Sequence, residues 1–334
     1  MKRKAIFVNS KPGEIQRVYG PDRIERIKSL ADLFPEVIAS GEDMDAHGDD
    51  LRQVEAIFST WGMLPLKEPE LARLPALKAV FYAAGSVKGF AAPLLRHGIQ
   101  VVSAWRVNGI PVAEMTVAMI ILSNTGYFRN IMGCKSYEGR RSKTLPRGPG
   151  NYRETVSLLG AGAIGRKVIE MLQSHDLKIL VFDPYLTGQE AALLGVEKVS
   201  LEDAFARGLA VSNHIPLMPS TIGMIREEHF RLMREGSTFI NTGRGATVDE
   251  EGMIRILQAK PSITALLDVT WPEPPIRDSE LYTLPNVFLS SHIAGSKGNE
   301  VYRMADCCIE EFERWTRGEP LRHAVTLEML ERMA

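Results

Sequence analysis

The chain has 334 residues, more than one compact core ordinarily serves, so two domains are expected. Hydrophobic residues make up 45% and charged residues 24%, the balance of an ordinary globular protein. Forty basic residues against 41 acidic ones leave a formal net charge of −1, which argues against nucleic acid or an anionic membrane as partner.

The basic start, Met1-Lys2-Arg3-Lys4, is followed by an apolar run too short for a signal-peptide core, and residues 5–8 read as a first strand. Further strands are expected over residues 37–39, 56–59, 79–82 and 100–102. Between the first two, Pro21-Asp22 opens a helix carrying Ile24, Ile27, Leu30 and Leu33 on one face. A helix follows over residues 111–123, with Val112, Met115, Met119 and Leu122 at helical spacing. The most apolar stretch, residues 112–122, is interrupted by Glu114 and Thr116 and falls short of a bilayer span. Residues 133–151 turn polar, basic and rich in Gly and Pro, as a surface excursion does. A second series of strands is expected at 155–159, 178–182, 210–213, 238–241, 265–268 and 287–290, and an amphipathic helix at 300–315. Strands alternating with helices along nearly the whole chain predict an α/β fold with mostly parallel sheets. Cys134, Cys307 and Cys308 are too few for a disulfide framework, and two are adjacent, so unpaired thiols in a reducing cytoplasm and no metal site are expected.

The strongest motif is Gly160-Ala161-Gly162-Ala163-Ile164-Gly165, directly after one expected strand and opening a helix. The first glycine permits a tight turn, the second lets a pyrophosphate approach the backbone, and the third lets helix and strand pack closely. The helix N-terminus then faces the phosphates. The next strand ends in Asp183, 23 residues beyond Gly160, where an acid can accept hydrogen bonds from a ribose 2′-hydroxyl and repel a 2′-phosphate. Pro184-Tyr185-Leu186 follows without an arginine, so NAD is expected rather than NADP.

Four later blocks accompany this motif. They are His214-Ile215-Pro216-Leu217-Met218-Pro219-Ser220-Thr221, Asn241-Thr242-Gly243-Arg244-Gly245, Asp268-Val269-Thr270-Trp271-Pro272-Glu273-Pro274 and His292-Ile293-Ala294-Gly295. In this order they resemble the D-isomer-specific 2-hydroxyacid dehydrogenase family over most of the chain. The resemblance implies that Arg244, Glu273 and His292 are catalytic. Each role suits its chemistry: a planar guanidinium binds a carboxylate and polarises a carbonyl, an imidazole moves a proton near neutral pH, and a carboxylate orients that imidazole. The resemblance also implies that Asp268 meets the nicotinamide amide. His214, Ile215, Pro216, Thr221, Thr242, Gly243 and Gly295 would line the cofactor groove with Ala163 and Ile164, and Ala84 and Gly85 would hold the substrate carboxylate through their backbone. Trp61 and Trp271 are candidate pocket walls. The sequence departs from the family at Val87-Lys88-Gly89-Phe90, where an acidic residue is common, and at Met115, where many members have histidine.

The family plan further implies two Rossmann-like or flavodoxin-like domains. The cofactor domain, residues 105–298, would be inserted into a discontinuous substrate domain, residues 1–104 plus 299–334. Chain crossings near 103–107 and 296–298 would act as hinges around a cleft, and residues 109–151 would help to form a homodimer. The expected activity is the NAD-dependent interconversion of a D-2-hydroxy acid and its 2-oxo acid. The rival within enzymes is formate oxidation, which needs no proton transfer and pairs histidine with an amide; Glu273 argues against it. A 3-phosphoglycerate dehydrogenase fits as a short form, since the sequence ends at Ala334 without an added regulatory domain. A different class of reading is an NADH-sensing binding protein of the same fold with little turnover.

Overall fold

The computed structural model describes residues 2–332. It divides into two compact units, one of Met1–Gly109 with Ser296–Ala334 and the other of Ile110–Gly295.

The first unit carries β1 (Arg3–Val8), β2 (Ala31–Ile38), β3 (Ala56–Ser59), β4 (Ala79–Tyr82), β5 (Gln100–Ser103) and, near the C-terminus, β13 (Ala324–Val325). They form one sheet in the order β13-β5-β4-β3-β1-β2. All pairs are parallel except β13 with β5, which run antiparallel. Successive strand side chains alternate between two cores, as a sheet covered on both faces requires. Ile6, Val8, Ile57, Val80 and Val101 enter one, and Ala5, Phe7, Phe58, Phe81 and Val102 the other. The second core is closed by the helix Glu300–Thr316 through Val301, Met304, Cys308 and Phe312.

The second unit carries β6 (Thr155–Leu159), β7 (Lys178–Phe182), β8 (Glu197–Lys198), β9 (Ala210–Asn213), β10 (Thr238–Asn241), β11 (Thr264–Leu267) and β12 (Val287–Leu289). Its sheet, β12-β11-β10-β9-β6-β7-β8, is parallel throughout. The order reverses direction beside β6, and open α/β sheets bind ligands at the carboxyl ends of strands at such a switch point. Again one set of residues, Leu159, Val211, Phe239 and Leu267, faces one core, while Val156, Leu158, Val181, Ile240 and Leu266 face the other.

Several expectations shift. The first helix is Pro12–Leu30, kinked at Gly20 (φ 62°) ahead of Pro21, and Leu33 lies on β2 rather than on the helix. The helix expected from residue 111 begins at Trp105 and runs to Asn124 through Pro111. At 20 residues and mean hydropathy 1.3 it is long and apolar enough to cross a membrane, against the sequence reading. Its Val112, Ala113, Thr116 and Ile120 are nonetheless buried, and Ala113 and Ile120 belong to the core formed by β6, β7 and β10, as in a core helix. Residues 133–151 lie at the surface as expected, and include the short helix Tyr137–Arg141, with Ser136 accepting from Gly139 N as its cap. β8 and β13 have two residues each, too few to carry a periodic pattern.

Candidate active site

The turn after β6 is built around its glycines. Gly160 has φ 104°, and a Cβ there would come 2.9 Å from the carbonyl oxygen of His214. At Gly165 a Cβ would collide with the Gly160 carbonyl oxygen, so the helix Ala163–Leu172 packs against the turn only without a side chain. A Cβ at Gly162 would meet nothing within 4 Å, which leaves that side of the turn open. Gly162 is also the N-cap and offers no side-chain capping bond, so the first N–H groups of the helix face outward. A crowded first and third glycine around an open second one fit a dinucleotide pyrophosphate.

Asp183 follows β7. Its Oδ2 accepts from Ala161 N (2.7 Å), and its Oδ1 accepts from Tyr185 N (2.8 Å) and Leu186 N (3.2 Å). The carboxylate thus joins the glycine turn to the exit of β7, and Oδ2 keeps lone-pair capacity. No arginine directly follows Asp183 in the sequence, but one reaches the glycine turn. Arg166, immediately after Gly165, donates from Nε to Ala161 O (2.9 Å), so one residue's backbone meets both Asp183 and Arg166.

At the exit of β9, His214 places Nε2 3.0 Å from Ser212 Oγ, while its buried Nδ1 has no hydrogen-bond partner among the described residues. Burial pushes its pKa down to about 4, so the ring is neutral near pH 7. Ile215 is buried. Thr221 Oγ1 donates to Pro216 O (2.6 Å) and accepts from Met218 N (2.9 Å), which folds this loop on itself. At the exit of β10, Thr242 is buried with its hydroxyl 2.9 Å from that of Thr116, and Gly243 N donates to Asn241 Oδ1.

The three residues with chemistry come from loops after β10, β11 and β12. His292 Nδ1 lies 2.7 Å from Glu273 Oε1, and both side chains are partly open to solvent (51% and 41% exposed). His292 has φ 55°, a left-handed backbone held from below by Asp268. The Asp268 carbonyl accepts from His292 N (3.0 Å), and its buried carboxylate accepts from Ser290 Oγ (2.6 Å), Ile293 N (2.8 Å) and Ala294 N (2.9 Å). Asp268, assigned by resemblance to the nicotinamide amide, therefore has both oxygens engaged by the segment that carries His292; Gly295 ends that segment. Arg244 donates from Nη1 to Gly243 O (2.8 Å). Burial draws its guanidinium below the usual value, and the neighbouring Glu273 carboxylate opposes that shift. Glu273 therefore pairs with His292 and acts on Arg244 through its charge.

Two contacts not foreseen from the sequence set this arrangement. Gly245 lies so close to the backbone of Thr270 that a Cβ would overlap it, and Glu250 Oε2 accepts from Trp271 N (3.1 Å). The segment after Arg244 thus grips the loop that carries Glu273. The sequence signal was the acidic first turn of the helix Glu250–Ala259, but which backbone amide it meets depends on the fold. Trp271 is 63% exposed.

Ala84, Gly85 and Trp61 belong to the first unit. Ser103 Oγ donates to Gly85 O (2.6 Å) and Ala84 O (3.1 Å), shaping the turn after β4. Val87, where the family commonly has an acid, is buried in the core. Trp61 is half-buried, with the Arg17 guanidinium 5.1 Å from its ring centroid. Among the described residues no group of three or more His, Cys, Asp or Glu could hold a metal ion.

Comparison with known proteins gives the family. The family model described as D-isomer specific 2-hydroxyacid dehydrogenase, NAD binding domain, matches residues 119–294, more than half of the chain. D-3-phosphoglycerate dehydrogenase of Homo sapiens is 30% identical over 235 residues, 70% of this chain and 44% of that protein. The enzyme of that name from Archaeoglobus fulgidus is 28% identical over 236 residues, 71% of this chain and 44% of its own length. The matches thus span less than half the length of these curated relatives. Among solved structures, a phosphoglycerate oxidoreductase from Rhizobium etli superposes with a TM-score of 0.79 at 23% identity, covering 97% of this chain and 98% of that one. D-2-hydroxyisocaproate dehydrogenase gives 0.76 at 21% identity, covering 97% and 99%. At such identities the structures speak to the fold, which is the two-domain Rossmann-like one.

Proposed function

The chain belongs to the D-isomer specific 2-hydroxyacid dehydrogenase family, with NAD as its cofactor, and from that premise we propose that it interconverts a D-2-hydroxy acid and its 2-oxo acid. The observation that carries the reading is the 2.7 Å contact between His292 Nδ1 and Glu273 Oε1. It joins two loops into an acid–base pair and leaves Nε2 as the nitrogen that moves the proton.

NAD, when bound, supplies the hydride acceptor or donor. The glycine turn would hold its pyrophosphate and Asp183 its ribose. Arg244 binds the substrate carboxylate and draws electron density from the 2-oxo group, since its guanidinium stays charged despite burial. In the reducing direction His292 Nε2 donates a proton to the carbonyl oxygen; in the oxidising direction it takes the hydroxyl proton. Glu273 accepts a hydrogen bond from Nδ1–H and so fixes the orientation of the ring. Asp268 keeps the His292 segment in place.

The side chains of Tyr127, Met132 and Tyr137, 44%, 40% and 70% exposed, support a homodimer formed through residues 109–151. The unpaired Cys134, Cys307 and Cys308 support a reducing cytoplasm as the compartment.

The test is NADH consumption with a panel of glyoxylate, hydroxypyruvate, pyruvate and bulkier 2-oxo acids. Turnover of at least one, reduced about 10²- to 10⁴-fold in His292→Ala, is expected. NADH binding with no turnover of any of them would instead favour an NADH sensor.

A further inference from the structure

We propose that Glu190 is a second determinant of the preference for NAD over NADP, acting by withholding Arg166 from a 2′-phosphate. The proposal rests on the reading of Asp183 as the ribose acid, and adds to it a residue that touches neither ribose nor phosphate.

The geometry begins at Ala161. Its N–H donates to Asp183 Oδ2 (2.7 Å), and its carbonyl accepts from Arg166 Nε (2.9 Å). The guanidinium is therefore tethered to the same residue as the carboxylate expected to receive the 2′-hydroxyl. An arginine near the ribose acid is the usual means of accommodating a 2′-phosphate, and Arg166 is tied to the turn that holds that acid. Here its Nη2 is engaged by Glu190 Oε1 at 3.0 Å. Glu190 is itself fixed: its Oε2 accepts from Thr187 N and Thr187 Oγ1, both at 3.0 Å, and its own N–H donates to Thr187 Oγ1. These bonds from Thr187, and then that from Arg166, hold its carboxyl below the ordinary range, so it is ionised wherever the enzyme would be assayed. The site thus presents an arginine to a 2′-phosphate only after a fixed carboxylate has been displaced. Asp183 repels the phosphate directly; Glu190 occupies the cation that would compensate. Removing Asp183 alone would then relax the discrimination only partly.

The experiment measures NADH and NADPH dissociation constants by fluorescence titration on the full chain. It compares Asp183→Ser, Glu190→Gln and the double variant, each with and without Arg166→Gln. Glutamine keeps the acceptor that the Thr187 capping box needs, so the helix start is preserved. Asp183→Ser should shift the NADPH-to-NADH affinity ratio toward NADPH. Adding Glu190→Gln should shift it about two- to fivefold further, the ordinary worth of an exposed ion pair. That second gain should vanish with Arg166→Gln and shrink as salt is raised. No second gain, or one that persists without Arg166, overturns the proposal while leaving Asp183 in its role. An unchanged ratio in Asp183→Ser overturns the ribose reading, and the proposal falls with it.

Discussion

Arg244 illustrates how much a single side chain is asked to do. Its burial makes the charge costly, yet guanidinium delocalisation keeps it protonated, and Glu273 offsets part of the cost. A lysine at the same position keeps one positive charge but loses the planar two-pronged contact to a carboxylate. Arg244→Lys is therefore expected to lower kcat/KM by about 100-fold or more, most of it as higher KM if carboxylate binding dominates. Near-normal steady-state constants would remove Arg244 from the mechanism. The expectation that Arg244, Glu273 and His292 are catalytic came from the sequence because each stands in a motif of fixed composition. That Asp268 spends its carboxylate on the backbone of Ile293 and Ala294 was not, because hydrogen bonds to main-chain N–H groups leave no mark on the identity of the residue that donates them.

The strand–turn–helix unit from Thr155 to Leu172 separates two uses of glycine. At Gly165 a methyl group would strike the Gly160 carbonyl, so Gly165→Ala must push helix and turn apart. Overpacking of this kind costs about 1–3 kcal/mol, visible as a lower urea midpoint of the protein without cofactor. At Gly162 a methyl group meets no protein atom, so Gly162→Ala should cost only the N-cap preference of glycine over alanine, about 0.5–1 kcal/mol, while weakening NADH binding. Equal losses of stability in both variants would sink the assignment of the open side to the pyrophosphate. Six strands, β3, β4, β6, β7, β9 and β10, begin and end where expected, whereas β2 starts six residues early because its first half carries no sustained apolar alternation. The extension of the helix Trp105–Asn124 back through Pro111 was not readable, because proline ordinarily starts a helix rather than sitting inside it.

For the whole molecule, two consequences can be measured. If residues 109–151 pair two copies, light scattering should give the mass of a dimer, and a double change Met132→Asp with Tyr137→Asp should shift it toward monomer. A monomeric parent protein would dispose of that proposal. Acid stability is the second. Because the folded His214 pKa is depressed to about 4, the unfolded chain binds a proton that the native state refuses once the pH drops below the ordinary histidine value. Stability is then full above about pH 6.5 and is lost as the pH falls toward 4. His214→Gln should flatten the decline of the urea midpoint between pH 7 and 4.5; identical slopes would show that the buried ring carries no such cost.

The α/β class, the dinucleotide turn and the family were all legible along the chain. They rest on short-range regularities: period-two apolar runs, glycines at fixed offsets, and motifs whose residues are neighbours in sequence. Partnerships between distant residues were a matter of folding. Ala161 meeting both Asp183 and Arg166, Glu250 receiving the Trp271 amide, Thr116 facing Thr242, and Val87 filling a core position each depend on which strand lies beside which and where each loop returns. Sheet order and the paths of the crossovers place those groups within 3 Å or so of each other, and no local pattern encodes that distance.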